Sequence, residues 1–277
     1  MEVASDGNNN IEEKQEQGDN EEVEKQLDID TVQDIYAVLR ARELQVPKYK
    51  GVSPQLYYRR CLVDWLSLVS KQLNLCNRVL HISIKYLDLV MDKFEFPKET
   101  QLTLLAICCL WIAAKLDEHD ELIPSLASLK MIVQDNFNCD DFLQMELIIM
   151  QSLDWRLLLP TAEQFIGHYS ESCLCETTDL HCGHPITSSI KTLSYITKYA
   201  SYFLEVSLQD YMFYAFLPSH VAASIIAASR MCVKVTPTWT PFLVEKTGYH
   251  YDDIEACVQR LMDIHSADEF KANEVLK

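Results

Sequence analysis

Residues 98–115 read as one helix without a polar face: Leu104, Leu105, Ile107, Leu110, Trp111 and Ile112 fall on every side of the helical wheel. A helix that is apolar all round is stable in water only when neighbours cover it on every side, so it belongs at the centre of a bundle. About 110 residues later the stretch Ala222-Ala223-Ser224-Ile225-Ile226-Ala227-Ala228-Ser229 repeats the theme with smaller side chains. The echo implies two similar helical halves. Only 6 glycines and 9 prolines in 277 residues leave little turn material, which suits long helices and short loops.

The remaining pattern fills in this outline. Residues 1–27 hold acidic side chains with Asn and Gln between them and almost no apolar area to repay the entropy of ordering, so an acidic disordered tail is expected there. A short helix follows from about Asp28, carried by Val32, Ile35, Val38 and Leu39. Ser53-Pro54 offers a capping hydroxyl and an N1 proline for a helix running to about Leu73. Further helices are expected over 77–93, 98–115, 125–135 and 140–153, then 162–172, 188–206, 220–234, 240–246 and 252–265. The expected organisation is a tail (1–27), a helix plus a first bundle (28–157), a second bundle (158–266) and a C-terminal tail (267–277).

Composition narrows the function. A net charge of −17 disfavours a nucleic-acid surface, which needs cations to replace counterions. No secretory leader and no run of about 18 apolar residues is read, so no membrane span is expected. Cys61, Cys76, Cys108, Cys109, Cys232 and Cys257 lie in or beside apolar helical patterns and read as reduced thiols that behave as small hydrophobes. Cys173, Cys175, His181, Cys182 and His184 crowd into one stretch and raise the question of zinc. The spacing fits no standard finger, and cysteines one residue apart chelate poorly, so no metal and no cofactor is expected. No glycine-rich phosphate loop, HExxH or Gly-x-Ser-x-Gly occurs, which argues against catalysis by this chain.

Four segments in order carry a family resemblance. Tyr58-Arg59-Arg60-Cys61-Leu62 followed by Asp64-Trp65-Leu66, then Lys85-Tyr86-Leu87-Asp88, Ala113-Ala114-Lys115-Leu116-Asp117-Glu118 and Met145-Glu146 resemble the first box of the cyclins. Leu153-Asp154-Trp155-Arg156 and Pro160–Phe165 resemble the junction into the second box. The stretches Thr178–His181, Tyr199–Asp210 and Ser219–Arg230 resemble the cyclin J branch.

The resemblance implies an all-α fold of two tandem five-helix bundles with a short N-terminal helix. It implies a regulatory, non-catalytic subunit that binds and activates a cyclin-dependent serine/threonine kinase in cell-cycle control, located in nucleus and cytoplasm. The alternative is an adaptor of the same fold that activates nothing. By analogy Lys115 and Glu146, with Leu116 and Ile149 as apolar neighbours, face the kinase, while Arg59 and Asp88 form a structural ion pair. Tyr58, Leu62 and Trp65 fall where many cyclins carry a groove for substrate or inhibitor Arg-x-Leu motifs. Tyr58 and Cys61 replace the usual Met and Ile there, and Glu99 stands where a basic residue is common.

Overall fold

The computed structural model describes residues 31–133, 137–170, 178–186 and 188–275. The expected tail over 1–27, and Cys173 and Cys175, lie outside them. The described residues up to Arg42 belong to one unit and are helical; residues 31–43 make helix α1. Glu43–Lys277 forms the other unit and contains both expected bundles.

In the larger unit the first half holds five helices among the described residues: α2 (Leu56–Gln72), α3 (Asn77–Met91), α4 (Glu99–Asp117), α5 (Leu126–Val133) and α6 (Cys139–Ser152). The apolar helix read from the sequence is α4, and it packs on α2, α3, α5 and α6. It is long and apolar enough to cross a membrane, but here twelve of its residues, from Leu102 to Ala114, are buried as bundle core. The second half also holds five: α7 (Ala162–Ser170), α8 (Ser189–Gln209), α9 (Pro218–Cys232), α10 (Pro241–Thr247) and α11 (Tyr251–Val275). Helix α9, the small-residue echo, is the centre here and packs on α7, α8 and α11. The all-α, two-bundle reading describes the observed architecture.

Helix ends follow local chemistry. Asn138 and Asp141 form a reciprocal capping box on α6, with N–H···O distances of 2.9 and 2.7 Å. Thr240 caps α10, Pro241 takes its first position, and Gly248 at φ 74° closes it in the left-handed region. Two ends differ from expectation. Pro54 does not open α2; the chain turns once more, and the helix starts at Leu56 without a side-chain cap. The segment after residue 266, expected as a tail, continues α11 through Val275.

The second half also contains a three-stranded antiparallel patch, ordered β2-β1-β3, built from β1 (Leu180–His181), β2 (His184–Pro185) and β3 (Val235–Thr236). Cys182 and Gly183 join β1 to β2 with φ of 51° and 81°. Two successive positive φ values make a tight hairpin turn, and glycine takes the second without strain. The Cys/His stretch that raised the question of zinc is therefore, from His181 to His184, a hairpin tip.

Thiol placement splits the six helical cysteines. Cys108, Cys109 and Cys257 are core residues whose pKa burial raises. Cys232 is half-buried, and Cys61 and Cys76 are exposed, so the small-hydrophobe reading fails for those last two.

Candidate partner-binding face

Lys115 lies in the last turn of α4, where a cation complements exposed carbonyls, and Glu146 lies on the neighbouring α6. Their side chains meet at 2.7 Å and are 35% and 19% exposed. The Lys115 ammonium also sits 3.3 Å from the centroid of the Trp111 ring, which is anchored by its own N–H to the Pro124 carbonyl at 3.1 Å. Two residues 31 apart in sequence thus share one surface point.

Apolar side chains flank that point. On α6, Leu143 and Leu147 lie four residues apart, on the face that also carries Glu146, and are 53% and 47% exposed. Leu116 is 43% exposed. Ile149 is not part of this face. It is fully buried in the first core, because it follows Phe142 and Met145 along the inward stripe of α6. The kinase-facing assignment of Ile149 is therefore corrected. Leu143 and Leu147 are the exposed α6 residues that sequence reading missed; the signal was their position beside, rather than on, the inward stripe.

Arg59 and Asp88 are buried and paired. Arg59 Nε donates to Asp88 Oδ1 at 2.7 Å and Nη2 donates to Oδ2 at 2.9 Å. Two further guanidinium N–H groups donate to the Leu208 and Gln209 carbonyls at 2.8 and 2.9 Å, across to the second half. Tyr214 O–H donates to Asp88 Oδ2 at 2.7 Å. Burial alone would lower the Arg59 pKa, but the Asp88 charge and hydrogen bonds outweigh it and the net shift is upward.

Of the three expected groove residues, Trp65 lines a groove between α2 and α5. Leu62 is buried in the core, and the Tyr58 hydroxyl is tied up with Glu99. Trp65 joins Leu68, Val69, Met131 and Ile132 around a groove of about 460 Å³ between α2 and α5. Leu68 and Met131 are exposed. Neither carries a sequence signal, because only the fold puts these parts of α2 and α5 beside one groove.

No three His, Cys, Asp or Glu groups gather as metal ligands among the described residues. His181 Nε2 and Cys182 Sγ are 3.8 Å apart on the exposed hairpin.

Comparison with known proteins adds the family. The family "Cyclin, N-terminal domain" matches residues 34–158, and "Cyclin, C-terminal domain" matches 160–277. Cyclin-J of Xenopus laevis is 39% identical over 246 residues, covering 87% of this chain and 64% of that protein. The chain spans 60–64% of the length of that protein, of Cyclin-J of Homo sapiens and of the Cyclin-J-like protein of Mus musculus. The crystal structure of a viral cyclin from herpesvirus saimiri superposes with TM-score 0.63 at 18% identity, over 82% of this chain and 94% of that one. A chain in the yeast RNA Pol II CTD kinase CTDK-1 complex superposes with TM-score 0.58 at 10% identity, over 82% and 70%. With both family matches spanning nearly the whole chain and a central helix in each half, this protein belongs to the cyclin family.

Proposed function

We propose that the chain is a non-catalytic regulatory subunit that binds and activates a cyclin-dependent serine/threonine kinase. The observation that carries this reading is the face around Lys115 and Glu146. It sets a partly exposed ion pair among the exposed apolar side chains Leu116, Leu143 and Leu147. Apolar anchors around a few polar contacts are the usual build of a protein interface. Each charge has its partner already, so docking exchanges one set of hydrogen bonds for another and leaves no ion bare.

The face sits on the last turn of α4 and the middle of α6, two helices packed into one core, so it is rigid. A rigid platform activates by selection. It binds the kinase conformation with its C helix turned in more tightly than the inactive one, and the ratio of the two affinities sets the gain. The groove at Trp65, Leu68, Met131 and Ile132 is proposed as the substrate-docking surface, replacing the set expected from sequence.

Two assays test this. Purified chain is mixed with candidate kinases, captured, and assayed for phosphotransfer to a histone-like substrate. Lys115→Ala with Glu146→Ala is expected to weaken capture at least about 30-fold, since two truncated anchors cost about 2 kcal/mol or more. Capture undiminished in that variant would refute the face. Binding without phosphotransfer would identify an adaptor instead.

A further inference from the structure

A cavity of about 70 Å³ lies between the two halves of the larger unit, lined by Arg59, His81 and Lys85 from the first and by Thr161, Asp210 and Tyr214 from the second, among others. That is room for several waters or one small polyatomic ion. Its charges are unequally satisfied. Arg59 is consumed by Asp88 and two carbonyls. Both Asp88 oxygens accept from Arg59, and one also accepts from Tyr214. Asp210 accepts from Arg260 at 2.9 Å and from the Met212 N–H at 3.0 Å. These groups cancel one another.

Lys85 is left over. Among the described residues no carboxylate pairs with it; its ammonium lies 4.1 Å from the centroid of the Tyr214 ring. The Thr161 hydroxyl is buried and has no hydrogen-bond partner. His81 is buried too, and burial lowers its pKa to about 3, so the ring is neutral and offers one N–H. Burial also lowers the Lys85 pKa to about 8, against the opposing charge of Asp88, so the ammonium still predominates near neutrality. The cavity thus presents one uncompensated positive charge and three kinds of donor, while its carboxylates are spent. Leaving a charge and a hydroxyl unpaired in such a place is costly, and a ligand that accepts from both removes the cost.

We infer that this cavity is a binding site for a small oxyanion of the phosphate or sulfate class, held by the Lys85 ammonium and the Thr161 hydroxyl. Such an ion bridges α3 and the start of α7 and so couples the two bundles across their seam. The site is separate from the partner-binding face, and the inference does not rest on kinase binding.

The experiment is thermal melting of the full chain against inorganic phosphate, with ionic strength held constant by chloride. Wild type is expected to show a saturable rise in Tm. Lys85→Met is expected to shift the phosphate concentration for half the effect at least ~10-fold upward, because a charge-assisted contact is lost. Thr161→Val keeps the cation and is expected to weaken binding ~3-fold to 10-fold. Equal shifts in wild type and Lys85→Met, or a rise that never saturates, would overturn the assignment. Broadening of the phosphate phosphorus NMR line by wild type gives a second readout, independent of variant folding, and no broadening would also overturn it. A phosphoserine-containing peptide that displaces inorganic phosphate would assign the anion to a partner side chain; failure to displace it would assign the free ion.

Discussion

The two bundles each bury one arginine on one aspartate, but they use it differently. In the first half Arg59 and Asp88 tie α2 to α3 and then spend the spare donors on carbonyls at the end of α8, in the other half. In the second, Arg230 and Asp179 are both fully buried, pair at 2.7 and 2.8 Å, and spend the spare donors on the nearby Pro237 and Thr238 carbonyls at 2.8 and 3.0 Å. The first pair holds the halves together. The second fixes the small sheet region onto α9. A buried arginine carries more donors than one carboxylate can accept, so where the surplus goes decides what the pair joins.

Breaking the pairs is the strongest test of this contrast. Arg59→Ala and Arg230→Ala should each destabilise by about 3–5 kcal/mol, since each strands a buried carboxylate. The difference lies in cooperativity. Arg59→Ala should split the calorimetric melt into two transitions, whereas Arg230→Ala, which leaves the tie between the halves intact, should lower the Tm of a single transition. A single unsplit transition for Arg59→Ala would remove the bridging role.

A second test sharpens the difference between the two central helices. Ala227 on α9 is fully buried against close neighbours, so Ala227→Leu should cost about 2 kcal/mol by overpacking. Leu105→Ala at the centre of α4, also fully buried, should cost at least as much, for the opposite reason of a cavity. Chemical denaturation of both variants reads the two values.

The third concerns acid. Burial holds the His81 pKa at about 3 when folded, against about 6.5 when free. Between these values the unfolded chain takes up a proton that the folded one does not, so stability falls as pH drops below 6.5 and this loss levels off below 3. The cost is about 1.4 kcal/mol at pH 5.5. His81→Asn should flatten the pH profile of stability over that range; an unchanged slope would place the acid sensitivity elsewhere.

The smallest effect is expected at the proposed partner-binding face. Lys115→Ala and Glu146→Ala, alone or together, should change stability by less than about 1 kcal/mol, as their pair is solvent-accessible. Urea midpoints within that margin would show that loss of capture reflects the interface and not unfolding.

Much of this was legible in the sequence. The helices appeared at their places because apolar period and turn residues are local properties, and ordered motifs pointed to Lys115 and Glu146, which the fold brings together as an ion pair. The misses share a cause. Ile149 was read as outward, but α6 turns it into the core and puts Leu143 and Leu147 outside; a shift of one residue on a helix changes direction by about 100°. Arg230 in the last turn of α9 looks like an ordinary complement to the helix dipole, yet it is wholly buried because Asp179, 51 residues earlier, reaches it through the hairpin. Leu68 and Met131 line one groove only because the fold brings their two helices together.

By itself, the order of apolar and small residues determined that this chain makes two helical bundles with α4 and α9 at their centres, because a helix without a polar face has nowhere else to go. Tertiary packing alone decided where each arginine spent its surplus donors, which leucines of α6 stayed in water, and that Lys85 lost every carboxylate to another cation. Those outcomes depend on distances between residues far apart in the chain, and no local pattern records them.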